Sequence, residues 1–408
     1  MRYKILAALA SILGLAAMAA ASTETVLWNF TNSNGDGAIP WSDVLISDRS
    51  GNLYGTTQSG GTNNTGMVFE LSPDGNGGYS ETILHDFGAP GSGDGSAPYG
   101  SLLRDAAGNL YGTTQQGGTN LTGIIYMLSP KSGGNWKERI LYTFSASGAS
   151  DGATPSAGLV MGKNRTLYGT TTYGGSYGAG TVFQISETNG AIVEKVIHSF
   201  GGSGDGEYPY DPIVMGPDGN LYGTTSIGNP GAGAVYKLAL NNGTWKETIL
   251  YMFTGQNGDG SGMYYVGLVG DKAANIYGVT SFGGANGNGT VWELVYSNKT
   301  KTYSENILYS FSSSGSDGQY PYGGLTTDGA GRLFGTTEQG GSNNQGVVYE
   351  LKKNGSSWTE SVVHSFTGGT SDGVDPSGNL FLGSDGQLYG MAQFGGTSNE
   401  GIVYSVAP

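Results

Sequence analysis

Three histidines and seven aspartates are the side chains of this 408-residue sequence best suited to chemistry. His85, His198 and His364 are its only imidazoles, and it has no cysteine. That excludes thiol nucleophiles, Cys-ligated zinc and iron–sulfur clusters. An imidazole titrates near neutrality and would serve acid–base work or metal ligation. All three fall at one position of an internal repeat, where the other copies carry Trp28, Tyr142, Tyr251 and Tyr309. A site that accepts His, Tyr or Trp is a packing position for a ring with a polar tip. The three also lie in separate, non-consecutive copies, so neither a histidine triad nor a histidine-rich metal site is expected.

The aspartates are Asp36, Asp94, Asp151, Asp205, Asp259, Asp317 and Asp372, each followed by Gly. In six copies a Pro stands four residues on, at Pro40, Pro98, Pro155, Pro209, Pro321 and Pro376. A ring of such carboxylates would suit Ca²⁺ or a polyhydroxy ligand. The duller reading is a turn whose carboxylate accepts nearby backbone N–H groups. Each loop offers one Asp among glycines, whereas Ca²⁺ loops gather several oxygens. We therefore read turns and expect no cofactor, with Ca²⁺ at these loops as the alternative. Aromatic residues cluster just after the Pro at Trp41, Tyr99, Tyr210 and Tyr322, and Tyr264 follows Met263 in the fifth copy, with Tyr208, Tyr265 and Tyr320 beside them. Aromatic faces suit sugar rings, and they also suit wedging between packed sheets.

What positions these residues is the repeat itself. The segment Leu53-Tyr54-Gly55-Thr56-Thr57 recurs with variation around central glycines at 55, 112, 169, 223, 278, 335 and 390. The spacings are 57, 57, 54, 55, 57 and 55, which makes seven copies of one unit. Each copy reads as four short strands between glycine-rich turns. In the fourth strand Ile83, His85 and Phe87 alternate with Leu84 and Asp86, which predicts one face carrying the first set. Four strands repeated radially predict an all-β fold, a seven-bladed β-propeller of antiparallel blades. The seventh copy stops after its third strand, and Thr25-Val26-Leu27-Trp28-Asn29-Phe30 matches an isolated fourth strand. The N-terminal strand is thus expected to close the last blade and remove an open edge. The Asp-Gly loops and the Gly-Gly loops between strands two and three should share one rim.

Departures from the repeat point to an asymmetric site. The fourth copy has Gly228-Asn229-Pro230 where others have Gly-Gly, and the fifth has Met263-Tyr264-Tyr265 where others have Pro. Arg104 stands in a first strand whose other copies carry uncharged residues there. The candidate ligand-binding set is Trp41, Tyr99, Arg104, Tyr208, Tyr210, Asn229, Asp259, Tyr264, Tyr265 and Tyr322. No catalytic residue is identified.

The first residues carry Arg2 and Lys4, an apolar run from Ile5 to Ala20, and Ala19-Ala20-Ala21 before Ser22. This is the pattern of a secretory signal peptide, residues 1–21, leaving 22–408 as a single propeller domain. A formal net charge of −14 argues against nucleic acid and anionic lipid as partners.

The tandem units, G-L-V, LYGTT, GG and G-x-V-Y in order, make the chain similar to the bacterial "choice-of-anchor tandem repeat GloVer" proteins across nearly all of its mature length. The resemblance implies a secreted or surface-displayed repeat protein, often with a variable C-terminal anchor. It carries over no catalytic residue. The end at Val406-Ala407-Pro408 shows no such anchor, so a secreted or periplasmic monomer is expected. The function expected is non-enzymatic binding of a polysaccharide or extracellular protein by the loop-rich rim, without membrane insertion. The alternatives are an extracellular carbohydrate-active hydrolase or lyase, and a structural surface or matrix protein.

Overall fold

The computed structural model describes residues 24–41, 44–145, 151–228 and 231–408. The signal-peptide reading and Asn229 lie outside the described residues. Seven four-stranded antiparallel sheets follow one another around a ring. Blade 1 runs from its inner strand Ile46–Ser47 through Leu53–Thr57 and Met67–Pro73 to the outer strand Tyr79–Asp86. Blade 7 takes three strands from the C-terminal end, Phe381–Leu382, Leu388–Ala392 and Ile402–Val406, and its outer strand from Glu24–Asn29. Glu24 pairs with Val406 and Asn29 with Ile402, so the two ends of the described chain close the ring. Among the described residues no helix is long and apolar enough to cross a membrane.

Each residue of the LYGTT segment has a separate task. The leucine is buried, and the glycine gives room to the aromatic directly across the ladder. Gly55 faces Phe69, Gly112 faces Tyr126 and Gly278 faces Trp292, and all three rings are fully buried. A Cβ on Gly112 would sit 2.3 Å from the Tyr126 hydroxyl oxygen, which only glycine avoids. The first threonine donates to a carbonyl of the following blade, as Thr113 does to Ala157 at 2.9 Å and Thr170 to Asp211 at 3.1 Å. The second turns back to its own rim strand, as Thr57 does to Ser59 at 2.8 Å.

Blades meet through one repeated aromatic pair, edge-to-face at six seams and tilted at the seventh. The last phenylalanine of each unit touches the third-strand aromatic of the next, as in Phe87–Tyr126 at 5.3 Å and Phe253–Trp292 at 5.4 Å. Seven such seams make the core a set of inter-blade layers rather than one centre.

The predicted alternation of the outer strand is corrected by the structure. A β-bulge falls between the partners of Val68 and Phe69, which pair with His85 and Ile83 and leave Leu84 as the extra residue. Leu84 is buried and Ile83 is 40% exposed, the reverse of strict alternation. The same irregularity recurs in every outer strand. One inserted residue reverses side-chain parity, so positions before and after it face different neighbours.

Candidate functional site

The Asp-Gly and Gly-Gly loops share a rim, as expected from sequence. Gly37–Ala38 pairs with Ser59–Gly60, and the equivalent two-residue ladders form in all seven blades. In six of the seven loops the aspartate accepts the N–H of the glycine after it, at 2.6–2.8 Å. Asp259 also accepts the Thr254 N–H and hydroxyl, both at 2.6 Å. These carboxylates shape their own loops.

From that ladder the chain descends to the inner strand, and the aromatic residues of this descent converge on the ring axis. Trp41 of blade 1 lies 5.5 Å from Tyr99 of blade 2, and Tyr265 of blade 5 lies 5.6 Å from Trp41 and 6.3 Å from Tyr99. Blade 5 stands opposite blades 1 and 2, so the Tyr265 ring spans the mouth of the channel. Tyr210 of blade 4 joins it at 5.6 Å and reaches Tyr264 at 5.6 Å. Tyr264 then stacks on Tyr322 of blade 6 at 6.1 Å, and both meet Phe282. The members drawn from the sequence set are all half-buried, with one side to solvent. Six of the ten candidate residues, Trp41, Tyr99, Tyr210, Tyr264, Tyr265 and Tyr322, are thus brought into one aromatic arc.

The reason blade 5 reaches so far is local. Gly260 to Leu268, like Gly37 to Leu45 of blade 1, is one residue longer than Gly95 to Leu102, and in blade 5 a second tyrosine, Tyr265, follows the ring position. Tyr265 adopts φ +58°, a left-handed conformation that a bulky residue takes only when held. The holder is Asp211 of blade 4, only 1% exposed, which accepts the Val266 N–H at 2.8 Å and the Thr224 hydroxyl. Burial pushes the Asp211 carboxyl up to about 7 against those hydrogen bonds. Sequence reasoning missed Asp211, although its position is Gly100 in blade 2 and Gly323 in blade 6. It also missed Phe282, which lies on the rim strand of the Gly-Gly loop.

Of the other candidates, Tyr208 pairs with Tyr173 at 5.6 Å, and Tyr173 hydrogen-bonds Tyr210 at the edge of the arc. Arg104 lies at the hairpin end of an inner strand, 3.9 Å from Asp48 and over the Tyr54 ring. That hairpin turn joins strands one and two, on the face away from the arc. The pair is solvent-screened, so Arg104→Ala is expected to change unfolding free energy by under about 1 kcal/mol in a denaturant titration.

The histidines pack as aromatic rings, His85 against Phe87 at 4.7 Å, and they also meet carboxyl groups. His85 Nε2 lies 3.2 Å from Asp94 and 3.6 Å from Glu138 of the next blade. His198 meets Asp205 and Glu247, and His364 meets Asp372 and Glu24, in the same arrangement. The glutamate stands four residues before the ring position in every outer strand, at Glu24, Glu81, Glu138, Glu194, Glu247, Glu305 and Glu360. That period was open to reading; the bulge that turns each glutamate toward the preceding blade was not.

A family model described as the Gloeobacter/Verrucomicrobia repeat matches residues 15–148, 92–267 and 218–408. No curated protein matches the chain. Similar solved structures include a protein described as a 6-phosphogluconolactonase from Bacteroides uniformis, 15% identical, TM-score 0.53, over 83% of this chain and 88% of that one. Another is the extracellular domain of a hybrid two-component system from B. thetaiotaomicron, 14% identical, TM-score 0.54, over 95% and 41%. A third is an ancestral GH74 enzyme, 12% identical, TM-score 0.57, over 95% and 51%. The chain spans about half or less of the length of the last two. At such identity they share the fold alone, and a propeller hosts many functions.

Proposed function

This chain belongs to the Gloeobacter/Verrucomicrobia repeat family, and from that premise we propose that it is an exported propeller that binds a glycan at the aromatic mouth of its channel. The observation that carries the reading is Tyr265, which meets Trp41, Tyr99 and Tyr210 from across the ring axis. Half-buried rings offer apolar faces to the C–H faces of a sugar. Export rests on the leader pattern at residues 1–21.

A catalytic reading has less support. Hydrolysis of a glycoside needs two carboxyl groups facing one bound sugar. Here the rim aspartates serve their own loops, and the carboxyl pairs beside the histidines sit against the outermost strands; the pair nearest the arc is Glu338 with Asp375, where Glu338 faces Tyr322.

Purified mature protein tested against plant, algal and bacterial polysaccharides is expected to bind at least one class, with a change in tryptophan fluorescence from Trp41. Silence across all classes would overturn the proposal. Release of reducing ends from a bound polysaccharide would replace binding with catalysis.

A further inference from the structure

Each seam between blades brings together two carboxyl groups from different strands. At the first seam Asp94 comes from the connection entering blade 2 and Glu138 from the outer strand of blade 2. The equivalent pairs are Asp151–Glu194, Asp205–Glu247, Asp259–Glu305, Asp317–Glu360, Asp372–Glu24 and Asp36–Glu81. At all seven, the Glu Oε1 atom is buried and has no hydrogen-bond partner among the described residues. Two carboxylates so placed would repel, and neither oxygen has a hydrogen to donate. One proton removes the repulsion and turns the idle oxygen into a donor.

We infer that the ring is closed by shared protons: each seam glutamate is an uncharged acid whose O–H is held by the facing aspartate, so that blade-to-blade closure loosens as the medium becomes alkaline.

The proton sits on the glutamate because the charged aspartate is the better hydrogen-bonded carboxylate. Asp94 already accepts the Gly88 N–H at 2.7 Å and the Gly95 N–H at 2.6 Å, both of which favour its charged form. The other groups facing this pair are His85 and Asp86 on the outer strand of blade 1 and the Tyr126 hydroxyl on the third strand of blade 2. Tyr126 is pushed above the ordinary phenol range by burial and stays neutral. The Tyr236, Tyr349 and Tyr404 hydroxyls do the same at their seams. Where the imidazole is absent, Tyr142, Tyr251, Tyr309 or Trp28 stands in its place. Tyr251 donates to Glu305 at 3.2 Å and Tyr309 to Asp317 at 2.9 Å. An imidazole is present at three seams and the carboxyl pair at all seven, so a proton is the one occupant that suits every seam.

The electrostatics agree. Burial first, and the charge of the facing aspartate with it, pushes Glu24, Glu138, Glu194, Glu305 and Glu360 up to about 7. The same causes carry Glu81 and Glu247 to about 8. At Glu24 and Glu138 the imidazole pulls the other way. Burial raises Asp94, Asp205 and Asp372, but hydrogen bonds from histidine and backbone outweigh it and hold all three low. His85 loses basicity to burial and regains more from Asp94 and Glu138, ending raised.

The sign follows. A glutamate raised in the fold contributes stability that is complete below the unfolded value, about 4.3, and is lost as pH climbs through 7–8. His85 acts in the same direction above its ordinary value. The lowered aspartates act oppositely and lose their contribution only in stronger acid. The stability maximum therefore falls in mild acid.

The test is denaturant unfolding of the mature protein from pH 4 to 9, with infrared spectroscopy of the carboxylic-acid carbonyl band. For each pair still protonated in the fold, the unfolding constant is expected to rise about tenfold per pH unit between the unfolded and folded values. A protonated carbonyl band should persist at pH 6 and fade by pH 9. Glu138→Gln keeps the shape and a donor, and it should remove one tenfold factor per unit and part of the band. A stability that is flat or rises between pH 5 and 8, or no protonated band at pH 6, would overturn the inference. So would Zn²⁺ stabilising the protein strongly at pH 6, with release of protons and loss of the band, since an ion would then hold the pairs.

Discussion

Gly278→Ala is expected to cost about 3 kcal/mol of folding stability, at the upper end for overpacking a core. The substituted position lies directly across the ladder from Trp292, which is fully buried. A methyl there would stand 2.4 Å from Cζ2 and 2.8 Å from Cη2 of the indole. That ring is also held from the preceding blade by Phe253 at 5.4 Å, so it has nowhere to retreat. The cost should appear as a lower denaturant midpoint with an unchanged slope. A smaller ring partner supplies the second arm: Trp292→Leu in the Gly278→Ala background should be less harmful than the two single effects summed. A Gly278→Ala protein within about 0.5 kcal/mol of wild type would show that the blade relaxes freely at this point.

Tyr265→Ala is expected to weaken binding of a captured polysaccharide about 30-fold, close to 2 kcal/mol, the size of a central aromatic anchor. Tyr265 is the ring that ties Trp41 and Tyr99 on one side of the axis to Tyr210 on the other. Its loss would split the arc into two separate groups. Circular dichroism should be unchanged, since the side chain is half-buried and no blade core depends on it. Arg104→Ala, at the hairpin end of its strand, is the matched control and should bind as wild type. Equal loss in both variants, or none in Tyr265→Ala, would remove the mouth as the binding site.

The arc was partly legible beforehand. Trp41, Tyr99, Tyr210 and Tyr322 share a position after the rim proline, and residues at one position of a closed repeat must ring one face. That they touch depends on the diameter of the closed ring, which is not a property of any single unit, and on Tyr265 of the fifth unit reaching across it. Asp211 escaped notice because a carboxylate at a position of small residues reads as loop variation. Its burial and its bond to Val266 appear only when blades 4 and 5 are packed together.

The histidines teach the same lesson from the other side. Interchange with Tyr and Trp identified them correctly as packing rings. The carboxyl groups beside them went unseen because Glu138 is 53 residues from His85 and on another strand. The bulge between them and the ring positions cannot be read from composition, since a bulged strand and a regular one carry the same residue types.

By itself the sequence determined the period, the number of blades, the four-strand unit and closure by the N-terminal strand. These follow from hydrophobic alternation and local backbone geometry, which act within one unit and are repeated. Tertiary structure alone decided which aromatics meet at the mouth, which way each outer strand turns after its bulge, and which glutamate faces which aspartate. Those are contacts between units, and they exist only once the ring is closed, because closure sets the distance and the facing of parts that no stretch of chain places side by side.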